Sequence, residues 1–458
     1  MRRHFFHAPL LALLLVGCAG VPRDRGAVAV NDRLKARGAP AAALGMAPNS
    51  RPTPAPFAAP LGMDQAVALA FERSPAVREL YAELGVSAAD VIDARTLPNP
   101  TLGYTRIADG DASQITRSVS LNFADLLLMP ARSHFAGASL ESTRDRVAAR
   151  LLALEHDVRA AWLETTAAAQ NSEVATLSAR AANASAEYAR RLDTAGNITP
   201  RALAQELAAA ASGDIDAARA RAEALRARAH LATLIGLSTR DNWQIAARLP
   251  AIPDAESPPA DLVERALATR LDLAAARREA DAFDGALATA RAWRWLGAFE
   301  VGYEHETETD GARLRGPTFA IKLPLFGFNR ASVWRATAAR DAARARRDAL
   351  ELAARNDAAL ALDRLATARD IVAAYRDALV PQREAASAHT LEEVSFMLSG
   401  AFELLATRRE QFAAYREYVD AVRDYWLARV DLERALGANL PGTTGTAALD
   451  LGLPGESR

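Results

Sequence analysis

Two pairs of short segments alternate apolar and polar residues, which is the pattern of β-strands with one apolar and one polar face. In the second half of the chain, Phe299, Val301 and Tyr303 alternate with polar neighbours. Phe319 and Ile321 alternate in the same way after a polar turn. The first half repeats the pattern less regularly, at Leu102, Tyr104, Val119, Leu121 and Phe123. This alternation fits the wall of a transmembrane β-barrel, and it fits a soluble hairpin packed on helices equally well.

The interpretation as a transmembrane barrel requires more than one copy of the chain. Four strands cannot close a barrel, and the unpaired backbone groups of an open sheet edge are costly in lipid. If these strands lie in a membrane, several copies of the chain must share one barrel. The polar face would then line a wet, mostly acidic lumen at Glu300, Glu304 and Lys322.

Two long stretches, at about 133–194 and 331–398, contain few helix-breaking residues. A continuous helix of about 60 residues would extend about 90 Å, far more than a compact domain needs. Pro381 is expected to kink or interrupt the second helix, because proline lacks a backbone donor and clashes with the preceding turn.

Near the end of the chain, apolar residues recur in steps of three and four, which is the spacing of a coiled-coil seam. The seam consists of Phe412, Tyr415, Val419, Val422, Trp426 and Val430. We interpret it as core packing between long helices.

The chain reads as two copies of one plan, about 200 residues apart. The matched segments are 70–77 with 266–273, 101–104 with 299–303, 118–121 with 318–321, Gly196 with Gly400, and 234–236 with 435–437. Each match is weak, but their common order favours duplication. Each copy is predicted to contain a helix, two strands, a very long helix, a turn with glycine and a further long helix.

The first residues resemble a secretory leader, with Arg2 and Arg3 before an apolar run that is too short to span a bilayer. The sequence Leu-Val-Gly-Cys ends at Cys18, the only cysteine. This tetrad resembles a bacterial lipobox, which implies lipidation of Cys18. An ordinary signal peptide with an incidental cysteine is the alternative. Ala19 follows in place of Asp, which resembles lipoproteins sent to the outer membrane.

These observations divide the chain into six segments. They are a lipoprotein signal peptide at 1–17, an Ala/Pro-rich linker at 18–60, a first repeat at 61–245, a connector at 246–260, a second repeat at 261–438 and a flexible tail at 439–458.

The composition and motifs of the chain argue against several classes of function. The 458 residues carry a formal charge of −1, so the chain has no overall electrostatic attraction for nucleic acid. One cysteine excludes a disulfide framework. The histidines after the leader are too scattered for a helical metal site; they are His134, His156, His230, His305 and His389. With no phosphate-binding loop or nucleophile elbow either, we expect no catalytic residue, resident metal or cofactor.

Together these features resemble the TolC-like outer-membrane efflux proteins. The resemblance covers about 61–437, and residues 402–437, which read FELLATRREQFAAYREYVDAVRDYWLARVDLERALG, are most similar to the heavy-metal CzcC and CusC type. The family implies a mainly α fold with a small β part. Duplicated long-helix hairpins form an α-barrel, and four strands per chain contribute to a shared trimeric transmembrane β-barrel.

The resemblance also implies sites at the two helix-to-helix turns. It places docking of a periplasmic adaptor at Thr194, Gly196 and Asn197 in the first turn and at Ser399 and Gly400 in the second. Glycine is expected there because a tight reversal commonly needs a positive φ. The family often has acidic gate residues after the second turn. The usual positions hold Ala406 and Arg409 here, which leaves Glu403 as the nearest candidate.

The implied function is a passive exit duct in the outer membrane, lipid-anchored and extending into the periplasm. Its partners would be two further copies, outer-membrane lipid, a periplasmic adaptor and an inner-membrane pump of the RND type, with metal cations or drugs as cargo. The alternative from another class is a periplasmic coiled-coil structural lipoprotein without channel activity. An adaptor of the same pump system is disfavoured because the chain lacks a Gly-rich, lipoyl-like strand block.

Overall fold

The computed structural model describes residues 24, 26–41, 60–239, 241–253, 261–295, 297–322, 327–440 and 449. The predicted signal peptide and Cys18 lie outside these residues. The chain divides into two units, each built from three segments. Unit 1 comprises 1–30, 80–147 and 271–352, and unit 2 comprises 31–79, 148–270 and 353–458.

The two halves of the chain repeat one order of elements. A short helix, α1 (Ala27–Lys35), precedes both. The first half contains α2 (Met63–Arg73), α3 (Pro75–Arg95), β1 (Thr101–Asp109), β2 (Ala112–Asn122), α4 (Phe123–Thr194) and α5 (Pro200–Leu234). The second half contains α6 (Leu262–Thr269), α7 (Leu271–Ala292), β3 (Phe299–Thr307), β4 (Arg313–Ile321), α8 (Arg330–Ala374), a π-helix (Tyr375–Leu379), α9 (Val380–Ser395) and α10 (Ala401–Leu436).

The repeat extends to the residues that end each half. Gly236 and Gly437 follow α5 and α10 with φ of +73° and +65°, and they are 201 positions apart. A Cβ on Gly236 would lie 2.8 Å from the carbonyl oxygen of Arg73, and a Cβ on Gly437 would lie 2.9 Å from Cα of Arg270. Arg73 ends α2 and Arg270 follows α6. Both halves therefore pack the end of their last helix against the end of their first helix, with only a glycine fitting between them.

The long helices follow the prediction except at the start of α4. Helix α4 begins at Phe123 and continues through Pro130, where the sequence alone suggested a start near residue 133. Asn122 stabilises this earlier start, since its side-chain oxygen accepts a hydrogen bond from the Ala124 amide at 3.1 Å. The interruption predicted at Pro381 is confirmed, because the π-helix lies directly before it. Such an insertion accommodates the missing donor and the proline ring.

The predicted seam of α10 is confirmed as core. Val419 and Val422 are at most 1% exposed, and Trp426 is 2% exposed. The Trp426 indole donates a hydrogen bond of 2.9 Å to the Pro250 carbonyl, which ties the connector to this helix. The Leu249 amide likewise donates to the Gln170 side chain at 3.0 Å.

Two segments expected to be loose are partly ordered. Residues 18–60 were assigned to a linker from their alanine and proline content, but Ala27–Lys35 is helical. This stretch contains no proline, and Val30 and Leu34, one helical turn apart, are completely buried. The tail is fixed at its first residue, since the Asn439 amide donates to the Arg37 carbonyl at 3.0 Å and its side chain donates to the Gly38 carbonyl at 3.2 Å.

Candidate functional site

The four strands of unit 1 form one antiparallel sheet in the order β1-β2-β3-β4. Leu102 pairs with Val119, Val119 with Tyr303, and Tyr303 with Pro317, which places one apolar row across all four strands. Because side chains alternate between faces, every second residue in each strand belongs to the face of this row. Within the described residues, β1 and β4 are the open edges of the sheet.

The face that contains this row is apolar over its first three rows. Its members are Leu102, Val119, Leu121, Phe299, Val301, Tyr303, Pro317, Phe319 and Ile321. The side chains of Leu102 and Phe319 are 77% and 66% exposed. Isolated exposed apolar residues are common, but a continuous apolar sheet face needs an apolar environment or a partner.

The opposite face is mostly polar and combines small side chains with glutamates on β3. The row Thr101–Ser120–Gly302–Thr318 is followed by the row Gly103–Ser118–Glu304–Gly316. A Cβ on Gly302 would come within 2.6 Å of the Thr318 hydroxyl, so a larger residue does not fit without displacement. Small polar side chains leave the space over this face open.

The three residues predicted to line the lumen share this polar face. Glu300 and Glu304 are on β3 at positions of the same parity, and Glu300 pairs with Ala320. Lys322, two residues after Ala320, donates its amide to the Ala298 carbonyl at 2.8 Å and therefore continues the register. The Ser120 hydroxyl donates to the carboxylate of Glu300. Glu306, which was not among the predicted residues, belongs to the same face.

The first helix-to-helix turn, at Thr194, Gly196 and Asn197, has the expected glycine geometry. Gly196 has a φ of +71°. Its amide donates to the Asp193 carbonyl at 2.9 Å, and the Asn197 amide donates to the Leu192 carbonyl at 2.8 Å. These two bonds form a Schellman motif at the end of α4. The next helix is capped by Thr199, whose hydroxyl accepts a hydrogen bond from the Ala202 amide at 3.2 Å.

The prediction that Gly400 supplies the positive φ of the second turn is wrong. Gly400 has a φ of −90° and is the N-cap of α10. Met397 takes the left-handed position with a φ of +60°, and the Leu398 amide donates to the Glu393 carbonyl at 2.9 Å. Met397 therefore corresponds to Gly196, and Gly400 corresponds to Thr199. The alignment of the two glycines was misleading because a methionine occupies the position that glycine normally favours.

This turn exposes three consecutive apolar side chains that were not predicted as a group. Phe396, Met397 and Leu398 are 68%, 93% and 79% exposed. In the sequence these three residues form an apolar run directly before Ser399 and Gly400, and that run could have indicated the exposed group.

Ser399 and Glu403, both predicted as site residues, interact with each other. The Ser399 hydroxyl donates to the Glu403 carboxylate at 2.7 Å. Glu403 lies in the first turn of α10, where a carboxylate is favoured by the helix dipole. This contact gives Glu403 a structural role at the helix start.

Unit 2 contains a buried charge cluster that no sequence motif indicated. Arg159 contacts Glu155 at 2.8 Å and Glu433 at 3.1 Å, and both carboxylates have no exposed side-chain surface. The Asn439 side chain donates to Glu155 at 2.7 Å. Burial raises the pKa of both carboxyl groups, and Arg159 opposes that shift. The cluster joins α4, α10 and the start of the tail.

His156 belongs to the same buried region. Its Nε2 lies 3.2 Å from Oδ1 of Asn439. Burial lowers its pKa to about 3, so the ring is neutral at physiological pH and donates to that oxygen. Within the described ranges, no group of three or more His, Cys, Asp or Glu residues could hold a metal ion.

Among the residues that the structure describes, no helix is both long and apolar enough to span a bilayer.

Comparison with known proteins links this geometry to one class. No protein-family model matches the chain. The cobalt-zinc-cadmium resistance protein CzcC of Cupriavidus metallidurans is 26% identical over 396 residues, which cover 84% of this chain and 92% of CzcC. The Campylobacter jejuni outer-membrane channel CmeC superposes with a TM-score of 0.72 at 13% identity, covering 85% of this chain and 87% of CmeC. CusC, a transmembrane channel, superposes with a TM-score of 0.67 at 16% identity, covering 85% of this chain and 96% of CusC.

The chain has the fold of the TolC-like outer-membrane channels. The resemblance inferred from the sequence is thereby confirmed, including its similarity to the CzcC and CusC type. The mainly helical architecture with one small antiparallel sheet is confirmed as well.

Proposed function

We propose that the protein is the outer-membrane channel subunit of a tripartite efflux system and forms a passive exit duct. The carrying observation is the sheet of unit 1, which exposes an apolar face on one side and has small polar side chains and glutamates on the other. A lipid-facing exterior and a wet interior are the two surfaces that a barrel wall requires.

The sheet edges support a trimer. An open β1 or β4 edge in lipid would leave backbone groups without partners, at a cost of several kcal/mol each. Pairing β1 of one copy with β4 of the next removes both edges. Three copies would form a barrel of twelve strands, as the family resemblance implies.

The lumen face supports cation cargo. Glu300, Glu304 and Glu306 share it with Lys322, so carboxylates outnumber the basic group. CzcC is named a cobalt-zinc-cadmium resistance protein, and an acidic face would attract cations of these metals. We propose metal cations as the principal cargo, with drugs as the alternative. Movement through the duct needs no catalytic step, because the inner-membrane pump would supply the energy.

The two helix turns support docking of a periplasmic adaptor that connects the channel to an RND-type pump. We assign docking to Thr194, Gly196, Asn197, Ser399 and Gly400, and we add the exposed apolar group Phe396, Met397 and Leu398. Glu403 is retained as the candidate gate residue. Lipidation of Cys18 would anchor the mature chain to the outer membrane.

Channel formation is tested with the full chain extracted in detergent and added to planar bilayers. We expect trimers that give stable ion conductance. Monomers without conductance would support the structural lipoprotein alternative.

Docking is tested with Gly400→Asp. Gly400 has an ordinary φ, and a Cβ at this position would have no atom within 4 Å, so the added carboxylate changes the surface without strain. We expect normal trimers and loss of metal resistance in cells that depend on this chain. Gly137→Asp, at a helical glycine that also has open space, is the control and should keep resistance. Equal resistance in both variants would contradict docking at this turn.

A further inference from the structure

Toward the hairpin turns, the apolar face of the sheet carries basic side chains. The fourth row across the strands is Tyr104–Arg117–His305–Arg315, and the fifth is Arg106–Ile115–Thr307–Arg313. These rows follow directly after the apolar row that contains Leu102 and Tyr303. Four arginines therefore lie on the face that the proposed barrel turns toward lipid, in two rows about 7 Å apart.

These four arginines have no side-chain partner within the described residues that would explain their position. All four are exposed. In the part of the chain that the structure describes, none of their side chains forms an ion pair or hydrogen bond. The carboxylates of Glu304 and Glu306 belong to the opposite face, and the other nearby acids, Asp109, Asp111, Glu308 and Asp310, lie at or beyond the strand ends in the turns.

At the opposite end of the sheet, next to the helices, the exposed side chains are aromatic. Trp295 precedes β3, and Phe328 and Trp334 flank the start of α8; all three are exposed, with 58%, 38% and 79% exposure. The rings of Trp295 and Phe328 lie 5.2 Å apart. Tryptophan favours the interface between membrane and water, where one part of the ring is apolar and the N–H meets water. The apolar band is thus bounded by aromatic rings at the helix end and by arginines at the hairpin end.

We propose that the exposed arginines Arg106, Arg117, Arg313 and Arg315 form a binding surface for the phosphate groups of lipopolysaccharide. This inference rests on the proposed function, which places the hairpin turns on the side away from the periplasm. The lipid there is a phosphorylated glycolipid. A guanidinium group binds phosphate oxygens through two parallel hydrogen bonds, and its long stem can lie along apolar surface while the head reaches the headgroup layer.

The position of these residues on the edges strengthens the inference. Arg106 lies on β1, and Arg313 and Arg315 lie on β4, the two edge strands. When β1 of one copy pairs with β4 of the next, arginines of two copies come together at each junction. Phosphate bound there would offset the repulsion between their like charges, so the same ligand would stabilise the trimer.

The test compares two variants of the full-length trimer in detergent. The first replaces the four sheet arginines with glutamine (R106Q, R117Q, R313Q and R315Q). The control replaces four exposed helical arginines that also have no side-chain partner within the described ranges (R180Q, R190Q, R355Q and R364Q). Both variants lose the same charge.

Binding is measured with fluorescent lipopolysaccharide, with lipopolysaccharide whose lipid phosphates have been removed, and with vesicles of equal parts phosphatidylglycerol and phosphatidylcholine. We expect the sheet variant to bind intact lipopolysaccharide about ten-fold more weakly than the control, and the native trimer to lose a similar factor on the dephosphorylated lipid. Equal binding by both variants overturns the inference. Tighter binding of the native trimer to the phosphatidylglycerol vesicles than to lipopolysaccharide also overturns it.

Conductance of the same preparations separates this inference from the proposed function. Conducting trimers in which the sheet variant and the control bind lipopolysaccharide alike contradict only the lipid surface. A native chain that stays monomeric and gives no conductance contradicts both.

Discussion

The sheet of unit 1 and the helical core of unit 2 place their side chains in opposite ways. The sheet exposes apolar side chains such as Leu102 and Phe319, whereas the helices of unit 2 bury Val419 and Trp426. The helices also bury charges, since Glu155 and Glu433 are enclosed around Arg159. Unit 2 therefore pairs these buried charges within one chain. The apolar face of the sheet has no such partner in the described residues, which supports the proposal that lipid and further copies complete it.

The largest expected effect is a charge placed on the apolar sheet face. Phe319→Arg should cost about 2–4 kcal/mol of stability in the membrane and remove most trimer from outer-membrane fractions. Ala320→Arg is the control, because Ala320 is the next residue and lies on the polar face. Trimer yield is measured after gentle detergent extraction. Equal losses in both variants would show that the two faces are not in different environments.

The second effect concerns the buried charge cluster. Arg159→Met leaves two buried carboxylates without their common partner and should lower the free energy of unfolding by about 3–5 kcal/mol. Denaturant titration of unit 2 helicity measures this loss. Arg191→Met, in the same helix, removes an exposed pair with Glu187 and should cost at most about 1 kcal/mol. A small effect at Arg159 would mean that water reaches the cluster.

The third effect is a dependence on pH. Burial lowers the pKa of His156 to about 3, so the unfolded chain binds a proton below about 6.5 that the folded chain does not. The free energy of unfolding should therefore fall as pH drops from about 6.5 toward 3, by up to about 1.4 kcal/mol per pH unit. His156→Gln keeps a donor for Asn439 and does not titrate. The difference between the two proteins isolates His156, since Glu155 and Glu433 are present in both. Parallel pH profiles would contradict a buried neutral ring.

The smallest effect compares the two helix turns. Met397→Gly should stabilise the second turn by about 1 kcal/mol, because a left-handed φ is unfavourable for methionine. Gly196→Ala should destabilise the first turn by a similar amount. Amide hydrogen exchange of the residues preceding each turn reports the local change. Opposite signs are required at the two turns, and the same sign would contradict the assigned geometry.

The sequence predicted the fold well where a pattern repeats. Alternation located all four strands, and the spacing from Phe412 to Val430 identified the core face of α10. The prediction from sequence failed where a single residue departs from the usual preference, as at Met397, which takes a left-handed φ that normally favours glycine. It could not find the cluster of Glu155, Arg159 and Glu433, because residues more than 270 positions apart share no local signal. Strand register, which places the arginines in rows, likewise comes only from the structure.

The central claim is that β1 of one copy pairs with β4 of another, and engineered disulfides test it most directly. Leu102→Cys on β1 is combined in turn with a cysteine at each alternate position of β4 from Arg313 to Ile321. Oxidation in intact outer membranes should join chains covalently into dimers and trimers for the β4 positions that lie opposite Leu102. Leu102→Cys alone should give none. Chains that remain uncrosslinked at every β4 position would contradict a shared barrel.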